Sequence, residues 1–215
     1  MHIQKWRDYA EMATALFVIA NPIGSIPVFI TLTGNQNEDE RRHSALVAAQ
    51  TVAAVLILSI FAGEPLLALF GVSVASFRVG GGILILLMAI SMLQARPSRI
   101  RHTPEETAEA EAKSEIAVVP IGIPVVAGPG AISTVIIYAH QATEWFDLAV
   151  LVVTSLFVAA SVWIALRLAN PIGNVLGKAG INIVTRLFGL ILAAVAVEFI
   201  TQGLAELLPG LATRM

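Results

Sequence analysis

The chain has 215 residues, 57% of them hydrophobic and only 13% charged, with a mean hydropathy of +0.82. Soluble domains carry about 25% charged residues, so the composition excludes an ordinary water-soluble fold and points to an integral membrane protein. The net charge of −2 argues against a nucleic-acid partner, and the lack of cysteine excludes disulfides, thiolate catalysis and sulfur-ligated zinc.

In chain order, Lys5 and Arg7 precede an apolar run that extends from Ala13 towards Thr33. It is too long for a signal peptide and has no small-x-small cleavage site before Asn21. A first span is therefore expected at about Tyr9–Thr33, interrupted by Asn21-Pro-Ile-Gly-Ser-Ile-Pro27. Ser44–Ala62 is 19 residues without a charge. At about 1.5 Å per residue it covers roughly 28 Å, the thickness of a hydrocarbon core. Glu64-Pro65 beyond it reads as a helix end. A third span is expected at Phe77–Ala95. The connection Arg96–Glu115 is polar and rich in Glu, Ala and Pro, which makes it a solvated linker with a helix start at Thr103-Pro104-Glu105-Glu106. The fourth span, Ile116–Ala139, is interrupted by Val119-Pro-Ile-Gly-Ile-Pro124 and Gly128-Pro-Gly130. The fifth and sixth are expected at Leu148–Leu166, again 19 residues without a charge, and at Ile181–Gly203.

Flanking charge sets the orientation. Lys5, Arg7 and Arg214 fall on one side, whereas Arg41, Arg42, Arg96, Arg99, Arg101, Lys113, Arg167 and Lys178 fall on the other. The richer side is cytoplasmic by the positive-inside rule, so both termini are expected outside the cytoplasm of a bacterial inner membrane.

The halves resemble each other. Pro22-Ile-Gly-Ser-Ile-Pro27 matches Pro120-Ile-Gly-Ile-Pro124, Gly71-Val-Ser-Val matches Gly180-Ile-Asn-Ile, and Arg78-Val-Gly-Gly-Gly-Ile-Leu84 matches Arg186-Leu-Phe-Gly-Leu-Ile-Leu192. Three matches in the same order imply a single domain, 1–215, built of two repeats, about 6–95 and 116–205, around the linker 96–115. With three spans per repeat, the second enters the membrane from the opposite side. The predicted fold is six transmembrane helices in two inverted-topology halves, with the first and fourth helices discontinuous. Gly/Pro-interrupted segments at corresponding places mark a secondary transporter's binding site.

Proline removes a backbone donor and clashes with the carbonyl four residues back. Broken backbone survives at membrane depth only where protein buries it or where it lines a wet cavity. A proline kink is the plainer explanation of either motif. Each, however, joins at least two prolines to glycine and to hydrogen-bonding groups. A helix that restarts after a break offers N–H groups and a positive dipole end to a carboxylate. The helix that stops before it offers carbonyls to an ammonium or sodium ion. The candidate substrate-binding residues are Asn21, Pro22, Gly24, Ser25, Pro27, Gly128, Pro129, Gly130, Ser133 and Thr134. The carboxylate is expected at the amides of Gly24–Ser25 or Gly130–Ala131.

Asn21-Pro-Ile-Gly-Ser-Ile-Pro-Val-Phe29, Val119-Pro-Ile-Gly-Ile-Pro-Val-Val-Ala-Gly-Pro-Gly-Ala-Ile-Ser133 and Ser76-Phe-Arg-Val-Gly-Gly-Gly-Ile-Leu-Ile85 together resemble the MarC family of six-span bacterial membrane proteins. The likeness covers essentially the whole chain. It implies an inverted-repeat fold and, from the SnatA members, transport of small neutral amino acids such as glycine and alanine.

Charge inside the hydrophobic layer costs at least ~2.5 kcal/mol by insertion scales, which singles out Arg78, Arg186 and Glu198 as gating or coupling residues. Arg78 and Glu198 are both expected towards the outer side, close enough to pair, with Arg186 the inward counterpart of Arg78. Trp6, Trp145 and Trp163 fit interfacial belts, and Gly80, Gly81 and Gly82 fit close helix packing. His2, His43, His102 and His140 show no ligand spacing, so no metal is expected, and no cofactor, with sodium or proton coupling left open.

An intramembrane enzyme would need a base or metal beside its serines, and no His, Cys or Asp is placed at membrane depth to serve; the chain is read as no enzyme. The expected function is a carrier whose partners are a small neutral amino acid and the bilayer, with the oligomeric state left open. The alternative is a channel, or an exporter of another small metabolite.

Overall fold

The computed structural model describes residues 2–94 and 126–212. The linker 96–115, the motif Pro120–Pro124 and Arg214 lie outside the described residues. Every element among the described residues is a helix: α1 (His2–Ala20), α2 (Ile26–Leu32), α3 (Glu38–Leu69), α4 (Val74–Leu93), α5 (Pro129–Gln141), α6 (Trp145–Arg167), α7 (Ala169–Leu207) and α8 (Pro209–Ala212). Of these, α3, α4, α6 and α7 from Ala179 onward are long and apolar enough to cross a bilayer. The protein is an all-α integral membrane protein.

Local chemistry sets the ends. Asn37 starts α3 through a reciprocal cap: its side chain accepts from the Glu40 amide at 2.9 Å, and Glu40 accepts from the Asn37 amide at 2.9 Å. Contrary to the expectation of a helix end at Glu64-Pro65, α3 runs on to Leu69. Pro65 lies on the exposed side of the last turns, where a single lost backbone bond bends nothing against the core. In α7 the left-handed backbone of Gly177, φ 59°, bends the helix eight residues after its start.

Cross-helix contacts sort the ends into two sets. Lys5 pairs with Glu144, His140 with Glu64, and Arg78 with Glu206. The starts of α1, α4 and α6 and the ends of α3, α5 and α7 therefore share one end of the bundle, here the vestibule end. At the opposite end Arg41 donates to the Thr33 carbonyl at 2.9 Å and Ser44 to Gln36 at 3.0 Å. Trp6 and Trp145 lie at the vestibule end, and Trp163, with Arg167 stacked 5.3 Å from its ring centre, at the other.

Two features organise the interior. First, α5 sits at the centre, touching α1, α3, α4 and α6. Ser133, Thr134, Val135, Ile136 and Ile137 are all buried in succession, the mark of a helix surrounded on every side. Second, α4 and α7 form an antiparallel seam. A Cβ on Gly82 would stand 3.0 Å from the Ala196 carbonyl, and one on Gly203 would stand 2.9 Å from that of Ala75. Absence of side chains lets the backbones approach, as small residues do in membranes. The three consecutive glycines part company here, because successive residues point about 100° apart around a helix. Gly82 faces α7, Gly81 faces Ser133 on α5, and Gly80 faces outward with nothing near it.

Gly82→Val should therefore lower the melting temperature in detergent, by the ~1–3 kcal/mol typical of overpacking, while Gly80→Ala leaves it unchanged or raises it. Equal stability of the two variants would contradict the seam.

Candidate functional site

The first break is a turn that hydrogen-bonds to itself. Asn21 takes φ 47°, a left-handed conformation that asparagine tolerates better than other side chains. Its Oδ1 accepts from the Gly24 amide at 3.1 Å. The Ser25 amide donates to the Asn21 carbonyl at 3.3 Å, and the Ser25 hydroxyl to the Pro22 carbonyl at 2.6 Å. Helix then resumes at Ile26, with Pro27 in its first turn. The amides of Gly24 and Ser25, expected to be open to a carboxylate, are thus engaged inside the turn. On the other side, Pro22 supplies no N–H to the Val18 carbonyl, and Gly24 gives its N–H to Asn21 rather than to Ala20. Gly24 must be glycine because a Cβ there would lie 2.0 Å from Asn21 Nδ2.

At the second break the described chain enters helix at Pro129, with Gly128 as an extended N-cap that offers no side chain. Pro129 has no N–H, so Gly130 and Ala131 present the first amides of α5, positions with no carbonyl one turn back in the helix. Thr134 turns its hydroxyl to the Gly130 carbonyl at 2.7 Å.

Both breaks meet α4. Asn21 Nδ2 lies 3.9 Å from Met92 Sδ. A Cβ on Gly130 would meet Ile85 at 3.0 Å, Ile19 at 3.3 Å and Met88 at 3.5 Å, and one on Gly81 would meet Ser133 Oγ at 2.8 Å. Gly130, expected to leave room for a ligand, is packed shut. Asn21, Pro22, Ser25, Gly128, Gly130, Ser133 and Thr134 are buried; Gly24 is half-buried, and Pro27 and Pro129 are exposed. The result is a closed layer of uncharged polar groups, about 20 Å from the vestibule end by the length of α5 and about 10 Å from the other by the length of α2.

A cavity opens on either side of that layer. The vestibule, about 550 Å³ between α1, α5, α6 and α7, is lined among the described residues by Asp8, Glu11, Asp147 and Glu198 against one ammonium, that of Lys5. Glu144 beside Lys5 holds that ammonium above its ordinary pKa. Tyr9 donates to Asp147 and ties α1 to the start of α6. A smaller cavity of about 370 Å³ adjoins it along Glu11, Tyr138 and Glu198. On the far side a cavity of about 470 Å³ lies beside the contact between α2 and α7, and Pro27 is among its lining residues. Among the described residues no group of three or more His, Asp or Glu side chains is placed to hold a metal ion.

The profile of the MarC family of integral membrane proteins matches residues 6–208. The chain belongs to that family. Its relatives include the UPF0056 membrane protein BU267 of Buchnera aphidicola from Acyrthosiphon pisum, 37% identical with 94% of each chain covered. The UPF0056 membrane protein YhcE of Escherichia coli is 38% identical, also with 94% of each covered. The UPF0056 membrane protein MJ1677 of Methanocaldococcus jannaschii is 37% identical, covering 89% of this chain and 93% of its own. No solved structure matches. The MarC resemblance read from the breaks is thereby shown; the relatives' names assign no substrate.

In this MarC protein the charged residues are arranged differently from the expectation. Arg78 is 3% exposed and pairs with Glu206, not Glu198, leaving its Nε without a partner among the described residues. The seam register explains the choice. Gly203 lies against Ala75 and Val79, so Arg78 is level with Gly203, and helical side chains lean towards their own N-terminus. Glu206 is one turn along in that direction. Glu198 is about 7 Å deeper; it is exposed, faces the vestibule and accepts from Gln202 at 2.6 Å. Arg186 is exposed on α7 with no ion-pair partner among the described residues, so it does not reproduce the burial of Arg78. Sequence reasoning also missed Met88 and Met92 as a third wall and the vestibule carboxylates. Glu206, about two turns beyond Glu198 and about 80° around the helix, was not singled out by the sequence.

A double-mutant cycle checks this arrangement. Arg78→Met with Glu206→Gln should show a coupling of about 1 kcal/mol or more in thermal stability, since breaking a buried ion's pairing destabilises beyond the pair's own worth. Arg78→Met with Glu198→Gln should be additive. The reverse pattern would reinstate Glu198 as the partner.

Proposed function

We propose that this protein is a secondary transporter of small neutral amino acids such as glycine and alanine, working by alternating access around the two breaks. The observation that carries the reading is the closed, uncharged polar layer between two open cavities. Such a layer is what a carrier presents when neither side is connected to the other. The fold proposed with it has six spans in two inverted halves. The antiparallel pairing of α4 with α7, each the last helix of its half, supports that symmetry.

Chemistry favours a zwitterion. The carboxylates of the vestibule draw in an ammonium group and raise its local concentration. In the layer, the Gly130 and Ala131 amides at the start of α5 suit the carboxylate, helped by the helix dipole. The Val18 and Ala20 carbonyls at the end of α1 suit the ammonium, or a sodium ion coupled to it. Asn21, Ser25, Ser133 and Thr134 supply the remaining polar contacts. With no charged side chain in the layer among the described residues, a ligand of net charge would be left unpaired there. With Ile19, Ile85 and Met88 against Gly130, a large side chain has no room. Arg78–Glu206 at the vestibule end acts as a gate between α4 and α7, and the vestibule-facing Glu198 as a coupling carboxylate. No enzymatic step and no cofactor enter this scheme. The proposed location is a bacterial cytoplasmic membrane, with both termini outside the cytoplasm.

Glycine or alanine should raise the melting temperature of the purified protein. At a hundred times Kd the gain is about 2.7 kcal/mol, several degrees, while glutamate, lysine and tryptophan give none. Asn21→Ala should remove the gain. Absence of a shift with any amino acid, with or without sodium, would overturn the proposal.

A further inference from the structure

The tetrapeptide Asn21-Pro-Ile-Gly24 recurs as Asn170-Pro-Ile-Gly173. The two copies fold differently. The first puts proline near the end of a long helix, where its missing N–H breaks the chain. The second puts proline in the first turn of α7, where the missing donor has no helical partner to lose, and the Ile172 amide donates to the Leu168 carbonyl at 2.9 Å. Yet they meet in space. α2, the helix released by the first copy, lies along the segment begun by the second, and a Cβ on Gly173 would stand 3.1 Å from Ile30.

Between these elements lies the cavity of about 470 Å³ whose polar lining is Thr31, Asn170, Asn174 and Asn182. The three asparagines line it from both sides of the bend at Gly177; all are exposed, and their amides have no hydrogen-bond partner among the described residues. Thr31 donates to the Pro27 carbonyl at 2.9 Å and leaves its oxygen facing the space as an acceptor. Among the described residues no charged side chain lines the cavity. Asn170 and Asn174 precede the membrane-spanning part of α7 and all three amides are exposed, so water or a solute reaches them. The volume is that of a small-molecule site.

From these features we infer that this cavity is a second solute subsite, a waiting position for a small neutral amino acid on the α2 side of the closed layer. It rests on the transporter reading proposed above. Amides donate and accept from the same side chain, so three of them pair with both an ammonium and a carboxylate without favouring either charge. The vestibule on the opposite side, being acidic, selects by charge; the amide cavity selects by hydrogen-bond pattern. Because α2 forms one wall and continues directly from the Asn21 turn, a ligand seated here touches the helix that must move to open the layer.

The test is glycine flux through the full-length protein reconstituted in a single orientation, measured separately from each face. In Asn174→Leu and Thr31→Val the KM from the α2 face should rise about tenfold, the loss expected for one or two hydrogen bonds to a charged group. The KM from the vestibule face should stay within about twofold, which also establishes that both variants are folded and active. Unchanged KM from the α2 face in both variants, or an equal rise at both faces, would overturn the subsite while leaving the transporter reading standing. A parent protein that carries no glycine from either face rejects the transporter reading itself.

Discussion

A polypeptide that stops being helical inside a bilayer must hydrogen-bond to itself or to water, because lipid offers neither donor nor acceptor. In this chain the requirement is met at Asn21. One asparagine turns the backbone left-handed at φ 47° and caps the Gly24 amide with its own side chain. The helix thus stops and restarts within five residues. Everything around the turn follows from keeping lipid away from it. α1 and α5 take the centre of the bundle, and the long apolar helices α3, α4, α6 and α7 stand around them. The broken elements are interior because their backbone is broken.

The second constraint is the seam between α4 and α7. Glycines at 82, 189 and 203 let these helices touch along their length, and the touching fixes their register. Register then decides which charges meet. Arg78 is carried to Glu206, and Glu198 is left to the vestibule. The seam also forms the wall on which both breaks rest, through Met92 against Asn21 and Ile85 and Met88 against Gly130. A gate built from Arg78 and Glu206 would therefore be mechanically continuous with the layer it controls, through three turns of one helix.

Much of this was legible in the sequence because it depends on local properties. Length and hydropathy marked the four long spans α3, α4, α6 and the later part of α7, and proline with glycine and asparagine marked the first break within a residue or two. The parts that were not legible depend on register or direction. Glu198 looks like the partner for Arg78 until the height of one helix against another is known, which brings Glu206 there instead. The glycines at 80, 81 and 82 look equivalent until the 3.6-residue period separates them. Arg186 matches Arg78 in the repeat but not in burial, since similarity of type does not carry over the surroundings. The second Asn-Pro-Ile-Gly leaves no interruption in the hydropathy pattern, because its proline sits in a first turn, where a helix tolerates one.

The central claim is that the two breaks form one site that is reached from water and closes on a small amino acid. Amide hydrogen exchange in lipid nanodiscs tests it most directly. The amides of Gly24–Ile26 and of Gly130 and Ala131 should exchange faster than those of Ala48–Leu56 in α3, and glycine should slow them at both breaks together. Exchange at the breaks as slow as in α3, or protection of one break without the other, would contradict the claim.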